Sequence, residues 1–129
     1  MFENFTLAHI PTLFVATATT FGGLMPFFNA QSAIEEFGLP KRIAISKEAQ
    51  SVMILSSARI TALGACMFAF YFSGKFSEVD TVMVIMGAYV GSVDAYVCWK
   101  EEVTGKAIFR GLSGAVIAAW GWFGLTAGV

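Results

Sequence analysis

Charge is confined to a few places in this chain, and that confinement limits its fold more than any other feature. Residues 4–34 contain no Asp, Glu, Lys or Arg, and the runs 51–72, 81–99 and 107–126 carry one charged residue each, Arg59, Asp94 and Arg110. A helix needs about 20 mainly apolar residues to cross the hydrocarbon of a bilayer. Each run is long enough. The sequence therefore predicts an all-α, integral-membrane antiparallel four-helix bundle, a single domain over 1–129 with spans at 6–28, 51–72, 81–99 and 107–126. Composition agrees. Of the 129 residues 57% are hydrophobic and 13% charged, the latter about half the share of a soluble domain. A soluble chain this short would leave much of its surface in water, and 17 charged residues (8 basic, 9 acidic) cannot cover it. The expected partner is the lipid bilayer. A net charge of −1 with no basic stripe excludes nucleic acid as a partner.

Orientation follows from Lys and Arg. Loops 29–50 and 100–106 with their flanks hold Lys41, Arg42, Lys47, Lys100, Lys106 and Arg110, whereas the opposite side holds only Lys75. The bias puts those two loops in the cytoplasm, and the endoplasmic reticulum is the expected membrane. The first run has no basic segment before it and exceeds the length of a signal-peptide core, so it reads as a retained span. Gly87 and Gly91 have the spacing that lets helices approach closely in lipid. Packing inside the bundle is the preferred use of that spacing, and homo-oligomerisation is compatible with it.

Arg59 and Asp94 are the informative residues, because a charge inside the bilayer normally faces the bundle interior and has a partner. At 1.5 Å per residue, Asp94 lies roughly 7 Å and Arg59 roughly 12 Å from the cytoplasmic ends of their spans. A long Arg side chain bridges that difference, so an Arg59–Asp94 pair is expected. Helical periodicity puts Gly87, Gly91, Asp94, Cys98 and Glu101 on one stripe, with the glycines clearing space for a pocket. Asn29, ending the first span, reaches the same layer, and Tyr89 and Trp120 are candidate pocket walls. An apolar cavity with these polar groups suits an apolar small-molecule substrate. The structural alternative is an ion pair that fixes how two helices dock. His9 lies away from both charges and has no second His, so no metal site is expected. Cys66 and Cys98 form no CxxC motif and read as packing residues. No motif implies an organic cofactor.

The segments Phe37-Gly38-Leu39-Pro40, Ser57-Ala58-Arg59-Ile60-Thr61-Ala62-Leu63-Gly64, Val93-Asp94-Ala95 and Gly105-Lys106-Ala107 resemble a family of small four-helix integral-membrane proteins abundant in fungi, catalogued as a domain of unknown function. The likeness runs from about Gly22 to Gly114. Many of those relatives carry His where this chain has Arg110. The chain also resembles, more distantly, the membrane-bound epoxide hydrolases of aurovertin- and citreoviridin-type polyketide pathways. That resemblance implies a cofactor-independent epoxide hydrolase or cyclase acting on an apolar polyketide-type epoxide in fungal secondary metabolism. Asp94 would then be the base and Arg59 its positioner or the stabiliser of alkoxide charge. The competing readings are a small proton-coupled transporter using Asp94 and a membrane scaffold subunit with a structural Arg59–Asp94 pair.

Overall fold

The computed structural model describes residues 5–128; residues 1–4 and 129 of the expected domain lie outside the described residues. Those described are helical with no strand: α1 (His9–Gly22), α2 (Met25–Phe37), α3 (Lys41–Ala44), α4 (Lys47–Phe72), α5 (Phe76–Ile85), a π-helical turn (Met86–Val90), α6 (Gly91–Lys100) and α7 (Thr104–Trp122). Two continuous helical stretches, Lys47–Phe72 and Phe76–Lys100, are long and apolar enough to cross a membrane. At 26 and 25 residues they reach about 39 and 37 Å, more than the roughly 30 Å of hydrocarbon. The expected spans 51–72 and 81–99 fall inside them.

The expected span 6–28 is not one straight helix. α1 has 14 residues, about 21 Å and too short to cross alone. α2 then leaves it at 100°. Gly22 and Gly23 weaken the helix, and Pro26, in the first turn of α2, supplies no amide hydrogen to continue the ladder from α1. Gly23 also sits against α4, where a Cβ would come within 2.6 Å of the Ser57 carbonyl. Counted as one broken span, α1 and α2 make a third crossing candidate. The expected loop 29–50 is largely helical, holding most of α2, all of α3 and the start of α4. The last helix also departs from 107–126. α7 begins at Thr104 and ends at Trp122, and Lys106 and Arg110 near its start make it less apolar than the two long stretches.

Four helix ends close in the same way. After α2, the Gly38 amide donates to Glu35 and the Leu39 amide to Ile34, with Gly38 at φ 117° and Pro40 following. Gly74 after α4 and Gly124 after α7 repeat the pattern, at φ 74° and 65°. This left-handed closure is the glycine C-cap. After α6 the residue in that place is Glu102, at φ 65°, with the Val103 amide donating to Cys98. A side chain there costs about 1–2 kcal/mol. Glu102→Gly should therefore raise unfolding free energy by about 0.5–1 kcal/mol net of glycine's extra chain entropy. An SDS-unfolding titration of both proteins checks this, and equal or lower stability of the variant contradicts it.

α4 packs against α1 and α2, and α7 packs against α5, the π turn and α6. The core gathers Ala16, Met67, Tyr71, Val79, Met83 and Met86. On α4 the buried residues are Ser57, Gly64, Met67 and Tyr71, a heptad-spaced stripe. The outward faces are apolar, with Leu7 79%, Phe14 72% and Phe28 86% exposed. A soluble monomer does not tolerate that much apolar surface, and a bilayer accommodates it.

Candidate functional site

Asp94 is half-buried on the inner side of α6. Its stripe is the one the spacing predicts: Gly87 and Cys98 are buried, and Gly91 and Glu101 are half-buried. α7 faces it, with Gly114 so near that a Cβ on Gly91 would meet its Cα at 2.9 Å. Arg110 stands one turn before Gly114 on α7 and acts electrostatically on both Asp94 and Cys98. The glycines bring the two helix backbones together. That contact holds a carboxylate and a guanidinium in one apolar layer.

Arg59 does not join this layer. It is exposed, and its Nη1 donates to the Leu55 carbonyl of its own helix at 2.8 Å. Two residues of helix turn Arg59 by about 200° from Ser57 on the packed face, so the expected Arg59–Asp94 pair does not form. The expectation rested on depth and took no account of direction. Asn29 is exposed as well. Its backbone is non-helical, and its Oδ1 accepts from the Ser32 amide at 3.0 Å, so it restarts the helix as an N-cap. Tyr89 is 70% exposed on the outer side of the π turn. Trp120 packs beside the core cluster, ten residues or about 15 Å along α7 from Arg110. The structure therefore does not assemble Asn29, Tyr89 and Trp120 around Asp94.

Arg110, counted from the sequence only among the basic residues flanking the cytoplasmic loops, is the residue that stands in this layer. Its Nη2 donates to the Phe37 carbonyl at 3.2 Å, and its Cζ lies 4.0 Å from the centre of the Phe37 ring. These contacts fix the guanidinium against the end of α2 and combine a hydrogen bond with a cation–π interaction. Its Nε is buried and has no acceptor among the described residues. Asp94 has neither a hydrogen bond nor an ion pair there. Both groups therefore keep unused bonding capacity in the same apolar layer. Nearby, the Lys106 side chain lies over Gly38, and Arg42 pairs with Glu101. Thus α2 and α3 are tied to the ends of α6 and α7.

A second polar cluster forms away from Asp94 and was not visible in the sequence. His9, Thr12, Tyr71, Asp80 and Thr126 are all buried. The His9 Nε2 lies 2.8 Å from the Thr126 carbonyl, and Nδ1 lies 2.9 Å from the Tyr71 hydroxyl. A carbonyl only accepts, so Nε2 carries the proton; in the neutral ring Nδ1 accepts from Tyr71. The Thr12 hydroxyl donates to Met83 Sδ at 3.2 Å and so accepts from Thr126. Asp80 accepts the Thr126 and Ala127 amides at 3.2 and 2.9 Å. Both ring nitrogens are engaged, and each carboxylate oxygen accepts one amide. This cluster secures the segment after α7, each of these buried groups having at least one partner, as burial requires. Among the described residues no group of three or more His, Cys, Asp or Glu is arranged to hold a metal ion.

These features sit within a known family. The chain belongs to the family described as a domain of unknown function, DUF4267, which matches residues 16–124. No curated protein and no solved structure matches. The matched region includes Asp94, Arg110 and the glycines between α6 and α7.

Proposed function

We propose that this protein is a membrane-embedded, cofactor-independent enzyme that opens an epoxide on an apolar, polyketide-type substrate. In this reading Asp94 is the base and Arg110, in place of Arg59, stabilises the oxygen that leaves carbon. The observation that carries the reading is the unused bonding capacity of Asp94 and the Arg110 Nε in one apolar layer, where glycines bring α6 and α7 together. A buried ion pair held only for structure would be closed on itself. The resemblance to polyene-epoxide hydrolases supplies the substrate class.

The chemistry balances without an added reagent. Asp94 takes a proton from water as the water oxygen bonds to an epoxide carbon and the carbon–oxygen bond breaks. Arg110 stabilises the resulting alkoxide. The alkoxide then takes the proton back from Asp94, giving a vicinal diol. If a substrate hydroxyl replaces water, the same steps give a cyclic ether and an alcohol. An apolar polyene reaches Asp94 laterally from the lipid. In the membrane, the end carrying Arg42, Glu101 and Lys106 faces the cytoplasm, and the endoplasmic reticulum is the proposed compartment.

Product analysis tests this. Membranes containing the protein, incubated with a polyene epoxide, should yield diol or cyclic ether at a rate proportional to protein. No conversion by a well-folded protein sinks the enzyme reading for that substrate class. The break between α1 and α2 favours a second reading, a proton-coupled carrier, since carriers use interrupted helices at their sites. Substrate-dependent proton flux in proteoliposomes, without any chemical product, would select it.

A further inference from the structure

An open groove of about 400 Å³ lies between α5 and the turn that follows α7. Val84 and Ile85 form an apolar wall, and Trp122 and Phe123 border it at 76% and 65% exposure. Ser77 and Asp80 add polar groups. Asp80 is 4% exposed, and no Lys, Arg or His pairs with it among the described residues. His9, the nearest member of its cluster able to carry positive charge, has both nitrogens engaged by Tyr71 and Thr126.

We propose that this groove binds a monocationic alkylammonium, with the ammonium on the Asp80 carboxylate and the alkyl chain along Val84 and Ile85. Each Asp80 oxygen accepts one backbone amide, and an ionised carboxylate has about four acceptor positions. Capacity for an N–H donor therefore remains. A carboxylate this buried without a counter-charge is costly, and a bound cation offsets that cost. Trp122 and Phe123 border the groove, and aromatic rings attract ammonium groups. Among the described residues no Lys or Arg lines the groove, so none of them receives a phosphate. That favours a free amphiphilic amine over a zwitterionic phospholipid.

The test uses the full chain in phosphatidylcholine nanodiscs, titrated calorimetrically with hexylammonium, hexanol and hexanoate. Hexylammonium should bind saturably and more tightly than the other two. Asp80→Asn should weaken it about tenfold or more, as loss of a charged hydrogen-bond acceptor does. Because Asp80 also holds the Thr126 and Ala127 amides, Trp122→Leu is the second variant. It keeps an apolar wall on an exposed position and should weaken binding about two- to fivefold through the lost cation–π contact. Hexylammonium binding no tighter than hexanol, or binding unchanged by both variants, overturns the proposal. Adding phosphatidylethanolamine to the nanodiscs should leave the affinity unchanged; competition by that lipid overturns the assignment to a free amine.

Discussion

Asp94→Asn lowers conversion of a polyene epoxide by about 10²- to 10⁴-fold, the usual contribution of a positioned base, with little change in folded yield. The two halves of that expectation rest on the same observation. Asp94 makes no hydrogen bond and no ion pair with the described residues, so the amide, which has nearly the same shape, breaks no contact. What it removes is the ability to take a proton. Arg110→Gln should cost about 10²–10³ in rate if the guanidinium stabilises the alkoxide. It should also loosen α2, because the Phe37 carbonyl and ring lose their partner. Arg59→Gln, on the outer face of α4, should leave the rate within about twofold, as a surface change away from the site does. The informative pattern is the contrast between the two arginines. Wild-type turnover by a well-folded Asp94→Asn protein would remove Asp94 from the chemistry. A loss in Arg59→Gln equal to that in Arg110→Gln would restore the pairing expected from the spans.

Hydropathy made the helical class and two long apolar stretches legible, because unbroken apolar runs report directly on burial away from water. It could not report direction. Residues 6–28 are apolar across the bend at Gly23, so their composition is the same whether the chain continues or turns by 100°. The local signal was in the sequence, as Gly22, Gly23 and Pro26, and it outweighed the run length. The Asp94 stripe was legible because spacing on one helix fixes angle, and Gly87, Gly91 and Cys98 do face inward with it. Arg59 was misplaced because depth alone was matched across two helices. Its angle relative to Ser57 and Gly64, two small residues seven apart, already put it on the far side. The same attention to small residues on α7 would have found Arg110, one turn from Gly114 and about three turns from Gly121 in the same buried row. The His9 cluster had no such signal. His9 and Thr126 are 117 residues apart, and no periodicity links a helix start to a turn after the last helix.

Gly87→Ala and Gly114→Ala each destabilise the protein by about 1–3 kcal/mol, and together they cost less than the sum. Both glycines occupy one gap between the π turn and α7. A Cβ on Gly114 would lie 2.5 Å from the Gly87 carbonyl oxygen, and a Cβ on Gly87 would collide with the Gly114 carbonyl. Backbone atoms cannot rotate out of the way as a flexible side chain can, so either methyl separates the helices. Helices in lipid rely on this close approach, since burying apolar side chains against each other gains little over lipid tails. Once the first methyl has widened the gap, the second enters space already opened, and the coupling should be at least about 0.5 kcal/mol, as for residues sharing one contact. Gly22→Ala is the control: none of the described residues lies within 4 Å of its added Cβ, and its stability should be unchanged or slightly higher. SDS-unfolding titrations of the wild type and these four variants decide the matter. Strict additivity would mean the two glycines act in separate contacts, and a Gly22→Ala loss as large as the others would trace the cost to helix ends rather than to this gap. The same widening moves Arg110 away from Asp94, because Gly114 sits one turn beyond Arg110 and Gly91 one turn before Asp94. Either single variant should therefore lose epoxide conversion in larger proportion than folded yield.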